Sequence, residues 1–368
     1  MRILFAFTGG RGHAEPLVPL ARAADAAGHT VAFGGRASTL PFLEQLGFDV
    51  FATEPGTTPE RLPLQPLDPE REARDFRDGF VLRARERTPG VLELYREWKP
   101  EVVVGEETHY GALLAAERLE IPFASVVVLA AGTLGTPALV AEPVQQVRAE
   151  LGLPPDPQAS LLSGRLVLAP LPPSFRDPTD RLPAATEHFR PFEEAPVAYD
   201  GPTRVYFTLG TVFNLESGDL FPRVLAGLEE LQVEVVATVG AEIDPAELGP
   251  LPQRISVERF VPQAEILGRC SAIVSHGGSG SVLGALAHGL PQVLIAMGAD
   301  QPLNAARCEQ LGLGRVLDPF TATPADVRDA VEAVLAEPSY RAAAERLQQE
   351  FAALPAPARA VELLEGLR

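Results

Sequence analysis

A short β-branched or aromatic run followed by a helical period, repeated along 368 residues, limits this chain more than any other feature. Strands that alternate with helices pair in parallel, because a connection long enough to hold a helix returns the chain to the same end of the sheet. Residues 3–7 read as the first strand. A helix opened by Pro16 follows, with Leu17, Leu20, Ala21 and Ala24 on one face and Gly28 at its end. Further strands are expected at 30–33, 50–52, 102–105 and 124–128, with helices at 39–46, 70–97 and 110–119. From 170 to 202 the chain is loaded with Pro, Arg and Asp and has no sustained period. The alternation then restarts, with strands at 205–209, 235–239, 255–260, 272–275 and 293–296 and helices near 219–231, 263–268, 280–288 and from 302 onward. The reading is an α/β chain of two Rossmann-like domains with doubly wound parallel sheets, 1–170 and 203–368, joined by a Pro-rich linker, 171–202. Residues 339–368 are helical by composition and are assigned to the second domain as terminal helices.

Thirty-one basic against forty-nine acidic side chains leave a net charge of −18. A field of that sign repels phosphate backbones and anionic headgroups, so neither nucleic acid nor a membrane surface is the expected partner. Cys270 and Cys308 are too few for a disulfide framework and lack metal-ligand spacing. The apolar opening of the chain is shorter than a signal-peptide core. The uncharged stretch between Glu120 and Glu142 is interrupted by Pro122, Gly132, Gly135 and Pro137, which break a spanning helix. The expectation is a cytoplasmic protein with no membrane insertion.

The most informative segment is 272–281, AIVSHGGSGS. A strand delivers His276 to a Gly277-Gly278-Ser279-Gly280-Ser281 turn that opens a helix, so free N–H groups and the positive dipole end face one point. That is a cradle for a diphosphate. Glycines allow close backbone approach, serines add hydroxyl donors, and His276 supplies a donor or a charge. The alternative is a plain strand-to-helix turn capped by Ser279. An esterase would need a Gly-x-Ser-x-Gly elbow, which the chain lacks. A dinucleotide oxidoreductase fits no better: Gly9, Gly10 and Gly12 do not have the GxGxxG spacing, and the second strand ends in Phe33-Gly34-Gly35-Arg36 without a ribose-binding carboxylate.

With Phe260-Val261-Pro262-Gln263 before it and Asp300-Gln301 after it, the His276–Gly280 segment resembles the donor motif of the UDP-glycosyltransferase superfamily, and Gly12-His13 with Pro16 resembles that family's N-terminal loop. The likeness covers nearly the whole chain and is greatest to bacterial natural-product glycosyltransferases. It implies the GT-B fold, two Rossmann-like domains facing a cleft, with donor bound by the C-terminal half and acceptor by the N-terminal half. Carried over by position, it implies that Phe260 stacks on the nucleobase beside Val261 and that Gln263 bonds the nucleotide. His276, Gly277, Gly278, Ser279, Gly280, Ser281 and Thr211 would hold the diphosphate, and Asp300 and Gln301 the sugar hydroxyls. On the residues alone other readings stay open: Phe260 as a strand-end core residue, Thr211 as a helix cap, Asp300 and Gln301 as a loop cap before Pro302. His13 is the candidate general base, since an imidazole titrating near neutrality can take a hydroxyl proton. The resemblance calls for an Asp at the end of the fourth strand to orient it. Here Glu106 holds that place, with Glu107 as a possible substitute and His109 close by.

No Asp-x-Asp and no His/Cys cluster occurs, so no metal or other cofactor is expected, and the leaving diphosphate falls to the helix N-terminus, His276 and hydroxyls. The function expected is an inverting glycosyltransferase that moves a sugar from a nucleotide diphosphate to a hydroxyl of a small, largely apolar acceptor. Residues 56–90 and 129–145, with Phe76, Phe80, Leu134 and Leu139, either wall the acceptor site or belong to the core. Plant relatives that use UDP-sugars place a ribose-binding Glu where this chain has Gly284. That departure favours a dTDP-sugar. A UDP-sugar donor, or a non-catalytic sugar-nucleotide binder on the same scaffold, are the alternatives.

Overall fold

The structure, a computed structural model, describes the chain apart from residues 59, 158–160, 193–198 and 200. Strands β1 (Arg2–Ala6), β2 (Thr30–Arg36), β3 (Asp49–Glu54), β4 (Val102–Glu106), β5 (Phe123–Val126), β6 (Leu166–Ala169) and β7 (Glu187–His188) form one sheet in the order β3-β2-β1-β4-β5-β6-β7. Strands β8 (Arg204–Thr208), β9 (Glu234–Thr238), β10 (Ile255–Glu258), β11 (Ala272–Ser275), β12 (Gln292–Leu294) and β13 (Gly314–Val316) form the other, in the order β10-β9-β8-β11-β12-β13. Every pairing is parallel. Helices cover both faces of each sheet, so Ile3, Leu4, Phe5, Val102, Val103 and Val104 are fully buried. Strands buried on both faces read as unbroken apolar runs, which is why the sequence shows them.

Three short strands escape the sequence reading: β6, β7 and β13. Each has two to four residues and takes its shape from pairing with a neighbour rather than from its own period. β7 also corrects the linker. Glu187 and His188 pair with Leu168 and Ala169, so the first part of the Pro-rich stretch completes the N-terminal sheet. Residues 193–198 and 200 of that stretch lie outside the described residues.

The second domain boundary also changes. The last helix, Pro357–Glu365, does not stay with the C-terminal sheet: Ala360, Val361 and Leu364 are buried in the N-terminal core with Leu20, Ala24 and Phe33. His29 Nε2 stands 3.0 Å from Glu365 on this helix. An amphipathic stripe is legible in sequence, but which surface it covers is decided by the packed fold. The two halves also meet at the other end of the cleft. Arg61 donates to both oxygens of Glu247, at 2.7 and 2.8 Å, and the Leu62 N–H donates to the Leu215 carbonyl at 2.9 Å.

Replacing Leu364 with Ala removes the innermost contact of the returning helix. Buried Leu-to-Ala changes cost about 2–5 kcal/mol. Chemical denaturation is expected to show a loss of that size in the transition that exposes Trp98 of the N-terminal domain; an unchanged midpoint would mean that the helix does not dock there.

Candidate functional site

In a doubly wound sheet the strand order reverses at one point, and the loops on either side of it open a crevice at the carboxyl ends of the strands. Here the reversals fall between β1 and β4 and between β8 and β11. The loops after β1 and β4 carry His13 and Glu106; those after β8 and β11 carry Thr211 and His276–Ser281.

His13 lies on a single helical turn, Arg11–Ala14. Its Nδ1 stands 3.4 Å from Glu106 Oε1 and its ring, about a quarter exposed, stacks on Phe80 with centroids 5.5 Å apart. Gly9 has a φ of +85°, and a Cβ there would stand 3.0 Å from the imidazole, so the loop can pass under the ring only as glycine. Glu106 is fully buried and accepts from the Thr8 N–H at 3.2 Å, the Thr108 N–H at 2.7 Å and the Thr108 hydroxyl. These donors fold the longer side chain back beneath His13, which accommodates the extra methylene of Glu. Thr108 Oγ1 also lies 3.4 Å from His13 Nδ1. Glu107 faces elsewhere: its Oε1 accepts from the Val128 and Leu129 N–H groups at 2.7 and 2.8 Å. His109 caps the helix Tyr110–Arg118 by accepting from the Ala112 N–H, and burial pushes it down to about 4.

Burial by itself would lower the His13 pKa. The Glu106 charge and hydrogen bond outweigh it, with a further pull from Asp300 across the cleft, and hold the imidazole above its ordinary 6.5. Glu106 is held below the usual carboxylate range: burial opposes this, and the charge of His13 and the bonds from His13 and Thr108 prevail.

The second crevice has the opposite character. His276 is packed between two glycines, since a Cβ on Gly210 or Gly278 would come within 2.6 and 2.5 Å of its Nε2. Burial pushes its pKa down to about 4 against the charge of Asp300 and the backbone of Thr208. Burial therefore favours the neutral ring, a donor or acceptor, over the charged form that the sequence also allowed. The helix Ser279–Ala287 begins with Gly278 as N-cap, which has no side chain to cap it; Asp300 Oδ2 accepts the Ser279 N–H at 3.2 Å, and the positive end of the helix faces the crevice. Thr211 is exposed on the loop after β8 and caps no helix.

Ser279 and Asp300 do not stand free. The Ser279 hydroxyl donates to Asp300 Oδ2 at 2.5 Å and accepts from the Ala130 N–H of the N-terminal domain at 2.8 Å. Asn304, absent from the sequence reading, donates to Asp300 Oδ2 at 2.8 Å and to the Gly277 carbonyl at 2.9 Å. Gln301 braces the same loop, its Oε1 accepting from the Met297 and Gly298 N–H groups at 2.8 and 3.3 Å. Ala299 adopts a left-handed φ of +53°, and Glu72 of the N-terminal domain accepts its N–H at 2.9 Å. Such strain in a residue with a Cβ persists only where its surroundings enforce it. A helix running three and four residues past Asp300 was legible; that its Asn304 turns back to the carboxylate was not.

Phe260 is half exposed and not a core residue. The Arg11 guanidinium lies 4.4 Å over its ring and 4.0 Å over that of Phe42, joining the two domains across the cleft mouth. Gln263 Nε2 donates to the Ser281 hydroxyl at 3.0 Å, and the partly buried Val261 packs against the cluster that contains Ile266. Gly284 sits close under Leu267, where a Cβ would come within 2.9 Å of Cδ1. Phe76 is core, clustered with Tyr110, Val128 and Val144, while Phe80, Leu134 and Leu139 pack on that cluster half-buried. Leu62 and Leu64 of the expected 56–90 wall turn instead to the C-terminal domain, and residue 59 lies outside the described residues. Among the described residues no three His, Cys, Asp or Glu side chains are grouped to hold a metal ion, and no helix is long and apolar enough to cross a membrane.

Residues 222–367 match the family described as erythromycin biosynthesis protein CIII-like, C-terminal domain. Over its whole length the chain is 31% identical to 4'-demethylrebeccamycin synthase of Lentzea aerocolonigenes, covering 99% of that protein. It is 31% identical to 10-deoxymethynolide desosaminyltransferase of Streptomyces venezuelae over 75% of this chain and 70% of that one. Among solved structures, glycosyltransferase VinC in complex with dTDP superposes with a TM-score of 0.77 at 25% identity, covering 100% of this chain and 99% of its own.

The two histidines are expected to titrate on opposite sides of the ordinary value, His13 above 6.5 and His276 far below it. Glu106→Gln removes the charge that raises His13 and leaves burial to act, so its pKa should fall below 6.5 while His276 stays in place. Histidine ring signals followed by NMR against pH check this; an unmoved His13 would break the pairing.

Proposed function

Given that this chain belongs to the bacterial natural-product glycosyltransferases of GT-B fold, and so moves a sugar from a nucleotide donor to an acceptor, we propose that it does so with inversion, from a dTDP-deoxysugar, to a hydroxyl of a small and largely apolar acceptor. The observation that carries the reading is His13, its Nδ1 side held by a buried carboxylate and its charge felt by Asp300 of the facing domain. The acceptor hydroxyl gives its proton to the free side of the imidazole as its oxygen bonds the anomeric carbon, and the bond from that carbon to the diphosphate oxygen breaks. A single displacement of this kind inverts the centre. Glu106 stabilises the imidazolium that results.

The leaving diphosphate is received by the open end of the helix Ser279–Ala287, by the Thr211 hydroxyl and by the neutral ring of His276. No metal is given a role in this scheme. Phe260 offers a half-exposed ring for the nucleobase, and the half-buried Phe80, Leu134 and Leu139 offer an apolar wall beside His13 for the acceptor.

His13→Ala should lower transfer by about 10²–10⁴-fold, the usual contribution of a general base, with dTDP binding retained. Near-normal turnover would remove His13 from the mechanism. His276→Ala should weaken both free dTDP and the whole donor, whereas Asp300→Ala should weaken donor use and leave dTDP affinity alone. Calorimetry that finds dTDP bound by the His276 variant as by the unchanged protein would refute the phosphate assignment.

The dTDP reading rests on Gly284, where no carboxylate is present to take two ribose hydroxyls, and on VinC having been solved with dTDP. Each lost charged hydrogen bond is worth roughly 1.5–3 kcal/mol, and deoxyribose forfeits one fewer than ribose. Titration under one buffer condition should find dTDP bound at least about tenfold more tightly than UDP; equal or tighter UDP binding would reassign the donor and leave sugar transfer standing.

A further inference from the structure

Asn304 is fully buried, and each of its polar side-chain atoms is used. The two N–H groups of its amide have three acceptors in reach, Asp300 Oδ2 at 2.8 Å, the Gly277 carbonyl at 2.9 Å and the Ser279 hydroxyl at 3.1 Å, so one of them is shared. Its Oδ1 accepts from the Ala131 N–H at 3.0 Å. One side chain thus touches the glycine turn of the diphosphate cradle, the carboxylate of Asp300 and a loop of the other domain.

The consequence for Asp300 is geometric. Its Oδ2 takes three donors, the Ser279 N–H at 3.2 Å, the Ser279 hydroxyl and the Asn304 amide. A carboxylate has about four acceptor directions, so one oxygen is saturated by protein and the other is left for a ligand. The consequence for the domains runs through residues 128–131. Their four N–H groups are all fastened: those of Val128 and Leu129 to Glu107, next to Glu106, and those of Ala130 and Ala131 to Ser279 and Asn304. This run links the end of β4, which bears Glu106, to the donor loop bearing Asp300.

We propose that Asn304 is a positioning residue for sugar transfer: it fixes the carboxylate of Asp300 toward the donor sugar and, through Ala131, sets how far that sugar stands from His13. This rests on the reading of Asp300 as a sugar-binding residue. Asn304 touches no reacting atom itself, so its effect passes through Asp300 and the docked loop.

The test is a double-mutant cycle of Asp300→Ala, Asn304→Ala and the pair, in the full-length protein, reading kcat/KM for the sugar donor and, separately, the Kd of dTDP. Asn304→Ala should lower kcat/KM by about ten- to a hundredfold, the range of coupling seen between residues of one hydrogen-bond network, with dTDP affinity changed by less than about threefold. The pair should be no worse than Asp300→Ala alone. Multiplying effects in the pair, a normal Asn304→Ala enzyme, or an equal loss of dTDP affinity would each overturn the proposal. If Asn304→Ala does not fold, Asn304→Leu carries the same cycle, since it fills a similar volume, removes the donor to Asp300 and brings in no second carboxyl. A normal Asp300→Ala enzyme would instead refute the sugar-binding reading of Asp300.

Discussion

A parallel sheet ends all of its strands on one edge, and everything chemical in this protein follows from that constraint. Where the strand order reverses, flanking helices leave toward opposite faces and the loops between them part. The chain does this twice, after β1 and β4 and after β8 and β11, and so builds two crevices. What makes them one site is the docking of the two edges. The Arg61–Glu247 pair, the Glu72 contact to the Ala299 N–H, the Ser279 contact to the Ala130 N–H and the Arg11 guanidinium between Phe42 and Phe260 all cross from one domain to the other.

Within the joined site, two imidazoles are driven in opposite directions by their surroundings. His13 lies over a buried carboxylate held by three donors, and the charge of that carboxylate raises the ring's proton affinity against burial. His276 is buried against glycine backbone, where desolvation prevails over the charge of Asp300. One ring is set to hold a proton and the other to stay neutral. Separation of titratable groups by environment in this way is how a single fold runs proton transfer and anion binding side by side.

The polar groups at the domain junction are shared rather than paired. Asp300 Oδ2, the Ser279 hydroxyl and the Asn304 amide serve one another and the opposite domain together. Removing any one takes a partner from the others, and a buried group left with none costs about 1–3 kcal/mol, more than the net worth of a single hydrogen bond. The same sharing holds Glu72 to Ala299, whose left-handed backbone would relax without it.

The sequence by itself determined the two doubly wound sheets, because doubly buried strands must be apolar runs and the helices between them must carry a stripe. It also determined the glycine-rich turn that follows β11, because Gly277 takes a left-handed φ of +83° and a Cβ on Gly278 would come within 2.5 Å of the His276 ring. It located His13 and Glu106 at the ends of β1 and β4 without deciding between Glu106 and Glu107, since adjacent residues on a strand end face opposite ways and the twist that selects one is a property of the sheet. Only the tertiary structure decided that Glu107 turns to Val128 and Leu129, that Asn304 turns back to Asp300, and that the helix Pro357–Glu365 crosses to the N-terminal domain. Each of these is a contact between segments far apart in the chain, and no local period encodes which distant surface a side chain will meet.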